Sequence, residues 1–219
     1  IAKENKSTML GTGINPGFLM GILPIFLTGP CEQVEEMHIA RQMDAATRRI
    51  PFQKKIGAGM TVKEYRDAID NHKITGHVGL EQSIMMIADS LGWVIDEIKV
   101  DMPEPITFDH DVASNAIKVP AGNVAGGFQM AYGISKGKAL ITMDFKAYIG
   151  APEEYDSVSI KGVPPINNKI TPCVHGDHGT IAMTTNMIPH VINAEPGLKT
   201  MAELPTPHAT PVHFGKYVK

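Results

Sequence analysis

The chain has 219 residues, a net charge of −3 and two cysteines, and 43% of its residues are apolar. This is the composition of an ordinary globular protein of one large domain or two small ones, which excludes disordered, collagen-like and coiled-coil chains. The charge argues against binding to nucleic acid or a membrane surface, and so few cysteines exclude a disulfide framework and fit a cytoplasmic protein.

The chain begins with Ile1 rather than Met, which suggests a fragment of a longer protein. The predicted elements up to residue 92 are a strand over 7–10, a glycine- and proline-rich loop over 11–17, a short buried helix over 18–27, a strand over 31–43 and helices over 61–73 and 78–91. Alternating apolar and polar residues indicate the second strand. Thr61 and Glu64 have the spacing of a capping box, which marks the start of a helix.

The second half of the chain is richer in strands. Short β-prone runs over 93–100, 106–119, 127–135, 138–149 and 157–160 precede a helix over 179–193 and a loop and tail over 195–219. Lys136 and Gly137 fit a tight hairpin turn between two of these runs. Neighbouring strands favour an α/β or α+β fold with a mixed, largely antiparallel sheet covered by helices, rather than the repeated βαβ units of a doubly wound domain.

The loop over 11–17 resembles the opening of a dinucleotide-binding fingerprint. It begins Gly-Thr-Gly, but the third glycine of the fingerprint would fall at Pro16, and no acidic residue ends a second βαβ strand about 20 residues further on. Three interpretations stay open: an incomplete dinucleotide site, a plain turn, or a loop whose glycines let a ligand approach the backbone closely.

Two polar residues are candidates for a site. Arg41 has the same parity as the apolar residues of its predicted strand, so it is expected to be buried and to need a carboxylate or a bound anion. His77 stands between glycines, in GHVG (76–79), which indicates tight packing or close approach of a ligand. The alternative for Arg41 is a structural salt bridge, and for His77 a structural histidine.

Two other polar segments favour structural roles. HGDH (175–178) could contribute to a metal site, but its spacing matches no standard zinc motif, so we predict no metal and expect Asp177 to cap the following helix. The basic pairs Arg48-Arg49 and Lys54-Lys55 predict a solvated face or an interface rather than a nucleic-acid site.

Several longer segments are distinctive and occur in order along the chain. They are GTGINPGF (11–18), DAATRRIPFQKKIG (44–57), ITGHVGLE (74–81), LGW (91–93), AYG (131–133), VHGD (174–177), NMIP (186–189) and AEPGLKT (194–200). In these segments the chain resembles the 2,4-diaminopentanoate dehydrogenases and the related native amine dehydrogenases.

The resemblance implies the architecture of dihydrodipicolinate reductase, an N-terminal Rossmann domain followed by a catalytic and dimerising domain. Residues 1–10 would then end the Rossmann domain, 11–200 would form the catalytic and dimerisation domain of a homodimer, and 201–219 would be a C-terminal tail. The glutamate with which the family activates ammonia would lie upstream of Ile1.

The implied reaction is the NAD- or NADP-dependent, reversible oxidative deamination of 2,4-diaminopentanoate to 2-amino-4-oxopentanoate and ammonia, or the reductive amination of small ketones. The same resemblance also implies a role for each matching residue, and Asn15 is assigned to both the substrate and the cofactor. The catalytic residues are Arg41 and His77, the substrate-binding residues Asn15, Phe18 and Leu23, and the cofactor-binding residues Gly13, Asn15, Pro16 and Asn186.

Two departures from the family pattern leave the substrate open: Gly21 stands where an acidic residue is common, and His178 where a less polar one is. Two alternatives to a catalytic domain also stay open. One is a dimerisation and substrate-binding module without its own activity. The other is a dihydrodipicolinate-reductase-like enzyme, although HIAR (38–41) lacks the basic cluster expected there.

Overall fold

The computed structural model describes residues 1–210 and 213–216. The helices are α1 (Leu23–Leu27), α2 (Ile50–Lys55), α3 (Val62–Asp70), α4 (Leu80–Leu91) and α5 (Gly176–Ile192). The strands are β1 (Thr8–Leu10), β2 (Gln33–Asp44), β3 (Glu97–Val100), β4 (Glu104–Thr107), β5 (Val112–Ala113), β6 (Lys118–Val119), β7 (Val124–Ser135), β8 (Lys138–Tyr148), β9 (Tyr155–Val163), β10 (Ile166–Ile170) and β11 (Gly197–Lys199).

A seven-stranded sheet forms the centre of the fold. Its order is β10-β9-β2-β8-β7-β3, with β4 also paired to β7. β2 runs parallel to β8 and antiparallel to β9, and all other pairs of this sheet are antiparallel. The prediction of a mixed, largely antiparallel sheet with helices is therefore confirmed.

The alternation in β2 orients its side chains as predicted. Met37, Ile39, Arg41 and Met43 are all buried. The apolar ones join a core that includes residues of α4, α5 and the segment Ile14–Ile22. Arg41 thus points to the same side as the hydrophobic core, where the helices lie, rather than to the opposite face of the sheet.

Local signals predicted several elements correctly. The Thr61 side chain accepts from the Glu64 N–H while the Glu64 carboxylate accepts from the Thr61 N–H, which completes the capping box of α3. Lys136 and Gly137 both have positive φ, at 50° and 76°, as the tight hairpin turn between β7 and β8 requires.

Other predictions were wrong in extent. The predicted helix over 18–27 is a regular α-helix only in α1, because the preceding π-helical segment Ile14–Ile22 has non-helical backbone angles at Asn15, Pro16, Gly17 and Met20. The run over 106–119 is broken into β4, β5 and β6, and in the turn between β5 and β6 the Ser114 hydroxyl accepts from two backbone N–H groups. Helix α2 was not predicted.

The C-terminal prediction also needs correction. Within the expected loop, β11 pairs in parallel with β1 at the other end of the chain. A three-residue strand has too little periodicity to be seen in a sequence. Part of the predicted tail, residues 211–212 and 217–219, lies outside the described residues. Within the part that the structure describes, no helix combines the length and apolarity needed to cross a bilayer.

Candidate functional site

The glycine-rich loop after β1 packs against the start of α4. Gly79, the residue before that helix, has a φ of +112°, and a Cβ there would lie 2.6 Å from the Pro16 ring. Only glycine allows both this positive φ and this close approach of the Pro16 ring without strain. This contact brings the loop that contains Asn15 and Pro16 next to the GHVG segment and therefore next to His77.

Asn15, Arg41 and His77 line one cavity of about 90 Å³. They come from three separate parts of the sequence: the loop after β1, the inward face of β2, and the segment before α4. The structure thus brings together three of the residues predicted to form the site. The other lining residues are Ile14, Met43, Arg48, Phe52, Phe145, Gly176 and Thr180.

His77 is held rigidly and in a neutral state. Its ring stacks on Phe145 with 4.1 Å between ring centroids, and its backbone N–H donates to the Gln129 Oε1 over 2.8 Å. Burial, followed by the charges of Lys55 and Arg41, lowers the pKa of His77 to about 4. At neutral pH this imidazole is therefore uncharged and offers one acceptor and one donor nitrogen.

Two buried polar atoms at this cavity lack hydrogen-bond partners among the described residues. They are the Nε2 of His77 and the Oδ1 of Asn15. The Asn15 Nδ2 lies 2.9 Å from the Met20 sulfur, a weak acceptor. Because an unsatisfied buried polar atom costs about 1–3 kcal/mol, two of them lining one cavity mark a place where a ligand would restore the missing hydrogen bonds.

Arg41 forms the buried ion pair that was the structural alternative for this residue. Its guanidinium donates to the Asp156 Oδ1 over 2.6 Å and to the Val174 carbonyl over 2.6 Å. The second Asp156 oxygen accepts from the Val174 N–H. Burial raises the pKa of Asp156, while Arg41 and that N–H act in the opposite direction. Arg41 therefore lines the cavity, but its positive charge is already balanced by the Asp156 carboxylate.

Arg48 is a second cation that is paired with a carboxylate, and it departs from the prediction of a solvated face or an interface, whereas Arg49, Lys54 and Lys55 are exposed. Rather than lying on a solvated face, its guanidinium is nearly buried and donates to both oxygens of Asp177, over 3.0 and 3.2 Å. It also lies over the Phe52 ring, 4.4 Å from the centroid. Asp177 consequently does not cap α5, since His175 occupies the cap position and accepts from the His178 N–H.

Metal-ligating side chains do not converge here. Among the residues that the structure describes, no group of three or more histidine, cysteine, aspartate or glutamate side chains could hold a metal ion.

A second, smaller cavity adjoins the first. It has a volume of about 40 Å³ and shares Phe52, His77 and Phe145 with its neighbour. Its polar lining includes Lys55 and Tyr65, and burial raises the pKa of the Tyr65 hydroxyl to about 12, so that it stays protonated. The remaining lining residues are Ile56, Ile74, Gly76, Pro103, Gly127, Phe128 and Gln129.

The other predicted site residues lie further away. Gly13 does not line either cavity, although a Cβ there would contact Thr180, which lines the first one. Phe18 and Leu23 pack against the hydrophobic core and do not line either cavity. The Asn186 side chain accepts from the Thr210 N–H over 2.9 Å, which ties α5 to the C-terminal segment rather than to the cavities.

Sequence reasoning missed several residues of the site. Phe52, Lys55 and Tyr65 lie on α2 and α3, and Phe145 lies on β8, so only the tertiary fold brings them to His77. One signal was present. Phe52 and Lys55 belong to the longest of the distinctive segments (44–57), whose basic pairs predicted a solvated face or an interface.

Comparison with known proteins agrees with this fold. The structure of an amine dehydrogenase from Mycobacterium smegmatis superposes with a TM-score of 0.82 at 19% identity, over 96% of this chain and 62% of that one. In sequence, the chain is 42% identical over 215 residues to a 2,4-diaminopentanoate dehydrogenase from Acetoanaerobium sticklandii. The match covers 95% of this chain but only 60% of the relative's length.

The family model described as the 2,4-diaminopentanoate dehydrogenase C-terminal domain matches residues 18–219. The resemblance inferred from the sequence segments is thereby confirmed. The chain belongs to the family of 2,4-diaminopentanoate dehydrogenase C-terminal domains.

Proposed function

We propose that this chain forms the substrate-binding and catalytic part of a nicotinamide-dependent amine dehydrogenase that acts on 2,4-diaminopentanoate. The amine, water and oxidised cofactor give 2-amino-4-oxopentanoate, ammonia, the reduced cofactor and a proton. The observation that carries the proposal is the pair of unpartnered buried atoms, Asn15 Oδ1 and His77 Nε2, at one cavity next to the glycine-rich loop. The named relative supports the substrate.

The residues present fit a nicotinamide. The Asn15 Oδ1 is a buried acceptor without a partner in the described structure, and the carboxamide of a nicotinamide carries a matching N–H donor. Gly13 and Pro16 would form the wall of the loop beside it. When bound, the nicotinamide supplies the hydride acceptor, and the protein's part is to position and shield the reacting carbon.

His77 and Arg41 take different roles in this proposal. The neutral His77 ring can accept a proton from the amine or donate a hydrogen bond to the carbonyl oxygen through Nε2, according to its tautomer. Stacking on Phe145 fixes the direction of that nitrogen. Arg41 acts as a positioning residue, because its pair with Asp156 and its bond to the Val174 carbonyl connect β2 to the segment before α5.

The test is turnover by the protein encoded by the complete gene. We expect NADH or NADPH to be oxidised when both ammonia and 2-amino-4-oxopentanoate are present. Asn15→Ala and His77→Phe should each lower kcat/KM by about tenfold or more, since each removes a buried hydrogen bond to a ligand. Asn71→Ala, on the exposed end of α3, is the matched control. Absence of turnover with this ketone and with simple ketones, under both cofactors, would refute the proposal.

We further propose that the enzyme is a homodimer that works in the cytoplasm and uses NAD or NADP. Both cysteines, Cys31 and Cys173, are free thiols, which supports a reducing compartment. Light scattering of the purified protein tests the dimer, and the ratio of kcat/KM for NADH and NADPH decides the cofactor.

A further inference from the structure

The two cavities around His77 have an unbalanced charge. Neither is lined by an aspartate or a glutamate among the described residues, whereas Arg41, Arg48 and Lys55 all line one or the other. The walls of the smaller cavity are largely apolar and aromatic, so screening by water is weaker inside it than at an open surface. The site is therefore suited to an anionic group, provided that one of the cations is free to bind it.

Two of the three cations are already neutralised. Arg41 pairs with Asp156 and Arg48 pairs with Asp177, as described above. Lys55 differs, because it forms no ion pair within the part of the chain that the structure describes. It is the last residue of α2, and its side chain lines the smaller cavity while remaining exposed, so it stands where that cavity opens to solvent.

The positive charge of Lys55 acts on His77, which lines both cavities. It is the second cause, after burial, of the low pKa of His77. Tyr65 lines the same cavity and its hydroxyl stays protonated, so the cavity has a second possible donor. An ammonium and a hydroxyl at one cavity form a donor set suited to a carboxylate.

We infer that Lys55, assisted by the Tyr65 hydroxyl, binds the carboxylate of the substrate and thereby selects amines and ketones that carry a carboxylate. This inference rests on the proposed function and assigns a selectivity residue to it. Because His77 belongs to both cavities, a ligand whose carbonyl reaches His77 places a carboxylate in the smaller cavity a few bonds away. Three carbon–carbon bonds separate the carboxylate carbon from the reacting carbon in 2-amino-4-oxopentanoate.

The first experiment compares two ketones in the protein from the complete gene. Lys55→Met should lower kcat/KM for reductive amination of 2-amino-4-oxopentanoate by about tenfold or more, mainly through KM, since a remote charged contact contributes uniform binding. The ratio of kcat/KM for this ketone to kcat/KM for pentan-2-one should therefore fall by about tenfold or more, because removal of the Lys55 charge acts on His77 with either ketone but only one of them loses a carboxylate contact. Lys54→Met removes the neighbouring charge on the same helix and is the matched control, because Lys54 lines neither cavity.

A second measurement needs no turnover and separates this inference from the proposed function. Calorimetry compares binding of pentanoate with binding of its neutral analogue pentanamide. We expect wild type and Lys54→Met to bind pentanoate more tightly than the amide, and Lys55→Met to lose that preference.

If the enzyme turns over neither ketone but shows this preference, the proposed function fails and the role of Lys55 in binding a carboxylate stands. If wild type shows no preference for pentanoate, or if Lys55→Met affects both ketones equally, the inference is overturned.

Discussion

The ion pair between Arg41 and Asp156 offers the sharpest test of how the site is held together. Both side chains are almost fully buried, at 2% and 3% exposure. Arg41→Met keeps much of the side chain's volume but leaves the Asp156 carboxylate without its cation. Removal of one partner from a buried pair costs about 3–5 kcal/mol, because the remaining charge stays desolvated. For a chain of this size, that loss corresponds to a decrease in Tm of roughly 6–20 °C.

The matched double variant shows whether the unpaired charge causes this loss. Arg41→Met with Asp156→Asn removes both charges but retains a side-chain oxygen that can accept from the Val174 N–H. We expect it to recover about 2 kcal/mol or more of the stability lost in the single variant, measured by urea denaturation. If Arg41→Met unfolds within about 0.5 kcal/mol of wild type, or if the double variant is no more stable than the single one, the reasoning fails.

The same pair predicts a pH dependence with a definite sign. Burial raises the pKa of Asp156, and loss of Arg41 removes an influence that lowers it, so the pKa of this carboxyl rises further in Arg41→Met. A carboxyl whose pKa is raised on folding contributes stability that is present below its ordinary pKa and is lost as the pH rises through the folded value. The deficit of the variant relative to wild type should therefore be smallest in acid and grow toward neutral pH.

Three further predictions concern the surroundings of the site. Because folding lowers the pKa of His77 to about 4, the free energy of unfolding of wild type should fall by about 3 kcal/mol between pH 7 and pH 4, relative to His77→Phe, which keeps the aromatic stacking. A midpoint near 6.5 in an NMR titration of His77 would contradict this. Gly76→Ala should lower the free energy of unfolding, measured in urea, by about 2 kcal/mol or more, because φ is +69° and the new Cβ would lie 2.5 Å from a proline ring carbon. In the control Gly137→Ala, φ is +76° but the space around the new Cβ is open, so the loss should be only about half as large. Thr61→Ala should lower the free energy of unfolding by about 1 kcal/mol through loss of the capping box. A variant as stable as wild type would contradict this.

Local patterns in the sequence predicted the elements that depend on nearest neighbours. Alternation along β2 placed Arg41 on the buried side, and Thr61 with Glu64 marked the start of α3. These predictions succeed because side-chain direction in a strand and capping at a helix start are fixed within a few residues. The fold class followed from the density of neighbouring strands.

Contacts between distant segments could not be predicted in this way. Arg41 and Asp156 are 115 residues apart in sequence, and Arg48 and Asp177 are 129 apart. Charge and spacing alone do not reveal such partners, so the sequence predicts a solvated face or an interface at Arg48 and a helix cap at Asp177. Both errors have one cause: a carboxylate and a guanidinium that meet only through tertiary structure each look like a solvated side chain in the sequence.

The two proposals meet at His77, and the ion pairs explain why its pKa can respond to the ligand. If Arg41 and Arg48 lacked their carboxylates, three cations would surround the imidazole and a single bound carboxylate would change little. Because both are paired, Lys55 is the unpaired cation, among the described residues that line the two cavities, whose effect on His77 a carboxylate can offset, while the smaller effect of Arg41 remains. Binding there would raise the pKa of His77, yet burial is the larger cause of its low value and persists in the complex. The ring would therefore stay neutral at physiological pH in the complex, so the carboxylate contact acts on binding, as an effect mainly on KM requires.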